Sequence, residues 1–348
     1  MASDSINSCP DAQFVLDLCT HLGFAAAGIT PARPITYHHE LRQWLADGQH
    51  GEMEYLARHV DLRIDPSVLM PGCKSIIVVA DRHGPPDELG DSPRSPTGRI
   101  ARYAQGADYH TVMKKRLHQL CDALRARWPG FEYRAAVDTA PIMEREHAAR
   151  AGLGYIGKNT LLIQPGIGSY LMLGEVLTTL EVPQAGQPVI ADHCGSCTRC
   201  IDACPTTAIT PYSVDAHKCI SYLTIEHRSG IDPQYYQAMG DWIFGCDICQ
   251  QVCPHNGDTG PTQLAPTNPA YDSRLTGFNL MEILKWSDED RRQAFAGSAM
   301  KRAKLDMMKR NAIIAAGNGG LADRLGPLVC DKSEPEVVRQ TARHVIGT

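Results

Sequence analysis

The chain has 348 residues, 43% of them hydrophobic, and a formal net charge of −5. Such a length supports two or three hydrophobic cores, and the acidic balance argues against a bulk polyanion binder. No apolar run reaches the roughly 18 residues that span a bilayer, and no secretory or lipidation signal is recognisable, so a cytoplasmic protein without membrane contact is expected.

Phe14, Leu18 and Leu22 fall at i, i+4 and i+8, the stripe of an amphipathic helix over 11–22. The β-branched run 75–80, after Pro71-Gly72, and the run 131–137, after Pro129-Gly130, read as strands of one sheet. Between them the Pro- and Gly-rich stretch 83–98 reads as a surface loop and 109–127 as a helix. Pro141 suits the first turn of a further helix, continuing over 142–151 until Gly152 stops it. Asp138 then stands at a strand-to-helix junction, where the residues alone read it as a helix N-cap. The stretches 159–164 and 169–180 read as a strand pair around Pro165-Gly166, closing an α+β domain over 1–190. A cysteine module follows over 191–260, with little regular structure beyond short helices. The Pro- and Thr-rich segment 261–269 connects it to a helical cap, the last part of 261–348. Its helices are expected over 303–316 and 334–346, the second with the proportions of a HEAT-repeat helix. From Arg274 onward, thirteen Lys and Arg stand against nine Asp and Glu. Lys301, Arg302, Lys304, Lys309 and Arg310 crowd one segment there, which reads as a solvated helix face or a nucleic-acid contact.

Eight of the thirteen cysteines form two runs and a bridge: Cys194-x2-Cys197-x2-Cys200-x3-Cys204-Pro205, then Cys219, then Cys246-x2-Cys249-x3-Cys253-Pro254. The run C-x2-C-x2-C-x3-C-P gives three thiolates to one 4Fe–4S cluster and its fourth to another. On that rule Cys194, Cys197 and Cys200 hold one cluster with Cys253. Cys204 joins Cys246 and Cys249 on the second, and Cys219 fills the remaining position. Paired C-x-x-C units also bind structural zinc, but overlapping runs closed by Cys-Pro fit zinc poorly, and disulfides would need an oxidising compartment. Cys9, Cys19, Cys73, Cys121 and Cys330 lack partner spacing and read as small buried residues or surface thiols.

Two other motifs carry less. Gly152-Leu-Gly154-Tyr-Ile-Gly157 matches G-x-G-x-x-G but follows a helix and precedes a strand, the reverse of a dinucleotide site. Its glycines read as a tight turn with close backbone approach to something bound. Asp108-Tyr-His110 resembles the start of a cobalamin-ligand motif, but Met113 stands in place of glycine, and His110 is not expected to ligate cobalt.

Several stretches taken in order resemble the epoxyqueuosine reductases. They are Asp138-Thr-Ala-Pro-Ile-Met-Glu-Arg, Ala151-Gly-Leu-Gly-Tyr-Ile-Gly-Lys-Asn159, Gly168-Ser-Tyr-Leu-Met-Leu-Gly-Glu175, the run from His193 to Pro205, Cys219-Ile-Ser-Tyr-Leu-Thr-Ile-Glu226 and Gly245-Cys-Asp-Ile-Cys-Gln-Gln-Val-Cys-Pro254. The resemblance implies a cobalamin-dependent iron–sulfur enzyme that removes the epoxide oxygen of epoxyqueuosine at the wobble position of tRNA, the last step of queuosine synthesis. It implies a nitroreductase-like cobalamin domain, a ferredoxin-like module with two 4Fe–4S clusters, and HEAT-like helices. It also casts Asp138 as the proton donor, in a cavity where desolvation would raise its pKa. Cobalamin-lining positions implied by the match are Arg63, Tyr103, Asp138, Ser169, Ser221, Cys246 and Asp247. For tRNA, the basic candidates are Arg145, Lys158, His227, Arg228, Lys301, Arg302 and Lys304, since an anticodon loop offers splayed bases and phosphates. A reduced flavodoxin- or ferredoxin-type donor and a monomeric state complete the expectation. Tyr155 departs from the Trp of many members, and the helical part is short. Rival readings are a reductive dehalogenase, usually exported behind a twin-arginine signal not found here, and a two-cluster electron carrier, which needs far fewer than the about 190 residues before the cysteines.

Overall fold

The computed structural model describes residues 10–84, 96–186, 188–256 and 267–347. Its larger sheet is antiparallel throughout, in the order Ala26–Pro31, Ser75–Arg82, Leu171–Thr178, Tyr133–Ala136. All eight positions of Ser75–Arg82 are buried, because both faces of this strand are covered. Side chains alternate across a strand, so Ile77 and Val79 join Val15, Leu117, Leu120 and Val176 in one core, on the side of the helices Ala12–His21 and Tyr109–Arg127. Ile76, Val78 and Ala80 join Ala148, Leu153 and Leu177 in a second, on the side of the helix Glu144–Arg150. Gly28 permits that second layer to close: a Cβ there would lie 2.2 Å from the Ala151 carbonyl oxygen.

The buried Asp81 carboxylate accepts from Arg116 Nη1 (2.5 Å), the Tyr271 hydroxyl (2.8 Å) and Asn268 Nδ2 (3.2 Å), tying this sheet to the chain beyond 267. A smaller sheet ties further. Thr97–Ile100 lies between Trp242–Phe244, which runs parallel to it, and Gly277–Asn279, which runs antiparallel. Its three strands come from before, within and after the cysteine segment, so these parts of the chain interlock.

In the helical tail, every residue of Leu305–Asn318 from Met307 to Ala316 is buried, and the helix packs on Glu336–Ile346 through a core containing Met308, Ala312, Val338 and Ala342. Arg310, fully buried, donates to the carbonyls of Leu223 (2.6 Å), His227 (2.8 Å) and Ser229 (2.5 Å). Beside it Asn311 Nδ2 donates to the carbonyls of Thr224 and Ile243, both at 3.0 Å. These bonds moor the tail to the segment that follows Cys219.

The helices expected over 11–22 and 109–127 are Ala12–His21 and Tyr109–Arg127, and those expected in the tail are Leu305–Asn318 and Glu336–Ile346. Two expectations are corrected. The helix foreseen from Pro141 starts only at Glu144, with Met143 as its N-cap, because Asp138 takes a positive φ of 54° and turns the chain before any helical hydrogen bond forms. Residues 159–164 and 169–180 do not form a ladder with each other, apart from a Gln164–Gly168 bridge. Leu162–Ile163 pairs instead with Tyr155–Ile156, while Leu171–Thr178 finds an eight-residue ladder on Ser75–Arg82. Of the isolated cysteines, Cys19, Cys73 and Cys121 are buried and Cys330 is exposed; burial pushes the Cys19 and Cys121 thiols up to about 12. Cys9 and most of the loop and connection expected over 83–98 and 261–269 lie outside the described residues. No described helix is long and apolar enough to cross a membrane.

Replacing Arg310 by Ala strands three carbonyls that it now satisfies, and about 3 kcal/mol or more of stability should be lost. A denaturant midpoint unchanged from wild type would contradict this role.

Candidate active site

The eight cysteines are presented on short turns: Cys200 in the helix Arg199–Asp202, Cys219 just before Ile220–Ile225, and Cys249 within Ile248–Gln251. All eight are free thiols. Their electrostatic neighbours fall into two sets. The Cys253 thiol is pushed up by burial and then by Cys194, Cys200 and Cys197. Cys246 is pushed up by burial, Cys249 and Cys219, and Cys219 by burial, with Cys204 adding to it. Cys249 senses Cys219, Cys204 and also Cys200, across the boundary between the sets. This is the partition read from the spacing. Backbone N–H groups already point at sulfur, from Lys158 to Cys194 Sγ (3.5 Å) and from Ala208 to Cys204 Sγ (3.3 Å). Soft thiolates with N–H donors suit iron–sulfur clusters. Among the described residues no three His, Cys, Asp or Glu side chains converge as a single bound ion would require, whereas a cubane spreads its ligands over four irons.

Asp138 is held from the side. Its Oδ2 lies 3.2 Å from His110 Nε2, and His110 Nδ1 lies 2.8 Å from Asp108 Oδ1. Asp108 caps Tyr109–Arg127 by accepting from the His110 N–H, so the helix start fixes the imidazole. Tyr109 stacks on that ring at 4.0 Å between centroids and bonds to Asp138. The Asp138 side chain is 65% exposed, yet it faces a hollow with protein on several sides. Burial pushes its carboxyl up, but the bond and charge of His110, the Tyr109 hydroxyl and the Arg302 charge outweigh burial and hold it below the usual range. Burial lowers the His110 pKa, and its bonds to Asp138 and Asp108 more than reverse that. The expected rise at Asp138 is therefore corrected: in this arrangement the imidazole, not the carboxyl, is the favoured seat of the proton. The N-cap reading is corrected too, since Met143 occupies that position.

The other expected lining residues surround the same hollow. The Tyr103 ring packs against three separate cores, and burial, then Asp138, Asp247 and Glu226, push its hydroxyl pKa up. Asp247, 2% exposed, accepts from the Arg102 N–H at 2.8 Å, and burial raises its carboxyl to about 6 against the nearby Arg102 and Arg99. Ser169 is tied to its neighbours, its Oγ to Gln250 Oε1 (3.0 Å) and its N–H to Asn256 Oδ1 (2.7 Å). Ser221 lies half-buried in Ile220–Ile225, next to the ligand Cys219. Arg63 senses Glu144, Tyr55 and Asp138 while burial lowers its pKa. Among the described residues Arg63 Nε, Glu144 Oε1 and the Tyr170 hydroxyl are buried without a hydrogen-bond partner. Buried orphans of both kinds, donor and acceptor, are what a cofactor bearing amide side chains would satisfy. Sequence reasoning missed Tyr109, Glu144 and Tyr170, and noticed His110 only as a cobalt ligand.

The basic candidates separate. Lys301, Arg302 and Lys304 are exposed, with Arg302 clamped on Glu226 and its guanidinium 5.4 Å from the Tyr55 ring centre. Lys309 and Arg310 turn inward, Lys309 onto Glu334 at 2.5 Å, so the 301–310 run is not one solvated face. Lys158 donates to the carbonyls of Gly195 (2.6 Å) and Cys197 (3.1 Å), bracing the first cysteine turn. Arg145 is exposed and donates to the Thr160 carbonyl at 2.5 Å. His227 lies 3.3 Å from Glu52, and Arg228 reaches the Arg302 carbonyl at 3.2 Å. The glycine motif makes its close approach within the protein: a Cβ on Gly154 would lie 2.5 Å from the Ile163 carbonyl oxygen.

The epoxyqueuosine reductase of Pseudomonas aeruginosa is 38% identical over 310 residues, 88% of this chain and 85% of its own. The chain belongs to the epoxyqueuosine reductase family. The family model described as Epoxyqueuosine reductase QueG, DUF1730 matches residues 63–139, and that of the 4Fe-4S double cluster binding domain matches 193–256. An epoxyqueuosine reductase solved with an epoxyqueuosine-modified tRNA-Tyr stem loop superposes with a TM-score of 0.84 at 28% identity, covering 96% of this chain and 89% of that one. Another, from Bacillus subtilis with its catalytic aspartate loop swung out of the active site, gives 0.84 at 27% identity, with the same coverage. The mixed helix and sheet architecture is thus that of the epoxyqueuosine reductases.

Cys219 stands apart from both cysteine runs, so Cys219→Ala isolates its role. Iron bound after anaerobic reconstitution should fall from about eight per chain to about four. Retention of about eight would remove Cys219 from the ligand set.

Proposed function

We propose that this protein reduces epoxyqueuosine to queuosine in the anticodon of tRNA, using a cobalamin recharged by two 4Fe–4S clusters and a proton delivered through Asp138. One observation carries the reading: the Tyr103 hydroxyl senses Asp138 on one side and Asp247, neighbour of the cluster ligand Cys246, on the other. Acid and electron supply thus flank one hollow. The first cluster takes Cys194, Cys197, Cys200 and Cys253, the second Cys204, Cys219, Cys246 and Cys249. Arg63, Tyr103, Ser169, Ser221, Cys246, Asp247 and Tyr170 would hold the cobalamin. The nitroreductase-like character of 1–190, the ferredoxin-like character of 191–260 and the HEAT-like character of 261–348 belong to the same reading, as do a monomeric state and a cytoplasmic site of action.

Removing an epoxide oxygen as water takes two electrons and two protons. Cobalamin and the clusters, when bound, supply a strongly reducing cobalt centre and its single-electron recharging. The protein's own contribution is the proton. His110 and Asp138 share one proton as a coupled pair, and Asp108 keeps the imidazole aimed. As substrate excludes water from the hollow, the charged pair is disfavoured and the proton shifts toward Asp138, which then protonates the leaving oxygen. Electrons would come from a reduced flavodoxin- or ferredoxin-type donor. An open hollow of about 640 Å³ lined by Arg199, Asp202, Gln251 and Cys253 supports access on the first cluster's side.

The test is anaerobic turnover of an epoxyqueuosine-bearing stem loop by the loaded protein, with nucleosides read by mass. Wild type should yield the product lighter by one oxygen. Asp138→Asn should keep clusters and cobalamin yet lose turnover by about 10²-fold or more. Equal rates would dismiss Asp138 as the donor. The pair holds its proton below the raised His110 pKa and loses it as pH rises through that value. Turnover should therefore decline on the alkaline side, and His110→Gln should displace that limb.

For the RNA, Lys301 and Lys304 are the exposed candidates nearest the acid-facing Arg302. Reversing both to Glu should weaken stem-loop binding and flatten the slope of its salt dependence by about 0.7 for each phosphate no longer neutralised. An unchanged slope would make them ordinary surface charge.

A further inference from the structure

Tyr155 is buried at 3% exposure and packs with Ile163, Cys253, Cys194 and Ile190. It starts the two-residue strand Tyr155–Ile156, which Leu162–Ile163 holds in place. Its hydroxyl lies 3.0 Å from His255 Nε2 and is hydrogen-bonded to Cys194. The His193 and His255 rings stand 5.6 and 6.0 Å from its own. A phenol has one proton to give. With His255 Nε2–H donating to the phenolic oxygen, that proton is free to point at the Cys194 sulfur.

We infer that Tyr155, its hydroxyl oriented by His255, donates a hydrogen bond to Cys194 that makes the first cluster easier to reduce than the remaining contacts of its ligands would. The inference rests on the cluster assignment proposed above. Reduction adds one negative charge to the cluster and its four thiolates. A donor aimed at a ligand sulfur favours the more negative form, and such outer contacts are among the levers that set cluster potentials. Cys194 is the ligand that most needs one. The carboxylate of Asp192 accepts from the Cys194 N–H at 2.7 Å, bringing a negative charge that opposes reduction. Its other donor, the Lys158 N–H, is long at 3.5 Å. A charge-assisted bond from a buried hydroxyl is the stronger contact. Tyr155 touches no ligand assigned to the second cluster, so the effect is confined to one centre.

Anaerobic redox titration of the reconstituted protein, followed by electron paramagnetic resonance, separates the two clusters. In Tyr155→Phe iron content should stay at the wild-type level, and the first cluster should become about threefold to tenfold harder to reduce, tenfold being a shift of about 59 mV for one electron. The second should hold its potential. Tyr155→Trp, which restores an N–H donor, should recover part of the shift. If Tyr155→Phe fails to assemble its clusters, His255→Leu leaves the phenol in place but unoriented and should move the first potential the same way. Unmoved potentials in both variants would overturn the inference, as would equal shifts of both clusters. Failure of the wild-type protein to assemble clusters would instead overturn the cofactor assignment on which the inference rests.

Discussion

Thiols crowded at close quarters resist ionising together, and the organisation of this protein follows from bringing eight of them to one seam. Burial and mutual repulsion push up Cys246, Cys249 and Cys253. Iron removes that penalty, since a coordinated thiol is deprotonated outright, but only if the ligands from 194–204, 219 and 246–253 arrive together. The fold secures this by interlocking. The small sheet takes a strand from each side of the cysteines, Arg310 and Asn311 fasten the helical tail to the carbonyls after Cys219, and Asp81 fastens the large sheet to the chain beyond 267.

The same interlocking sets the acid opposite the electron supply. Asp138 turns inward on a positive φ, a conformation that a non-glycine residue adopts at some cost in strain, and the Asp108–His110 pair receives it. Two carboxyl environments then diverge. Asp138 is held low by His110, whereas Glu144, six residues on, is raised well above its usual range by burial and by the charges of Glu175 and Asp138. Divergent carboxyls in one hollow mark acid–base chemistry. A solved relative in which the catalytic aspartate loop is swung out accords with Asp138 occupying a turn rather than a helix cap.

Much of this was legible in the sequence because cluster ligation is written in spacing. Cysteine intervals and Cys-Pro closures survive without any knowledge of fold, and β-branched or helix-periodic runs marked the main strands and helices. What was not legible depends on contacts between distant segments. His110 and Asp138 are 28 residues apart, and nothing local says that a histidine in a helix's first turn will meet a carboxyl from another loop. The inward course of Lys309 and Arg310 is equally hidden, since their surroundings come from Glu334 and from the stretch 223–229. The Gly154 approach is satisfied by Ile163 rather than by a ligand, which only the pairing of Tyr155–Ile156 reveals.

Everything in the proposed chemistry turns on one cobalamin sitting between the cysteine seam and the His110–Asp138 pair. Equilibrium binding of cobalamin to the anaerobically reconstituted protein, followed by its visible spectrum and by protein-bound cobalt against iron, addresses that placement. One cobalt per chain should appear beside about eight irons, with binding weakened when Arg63 or Tyr170 is replaced by Leu. Clusters that assemble fully while cobalamin stays free in solution would contradict it.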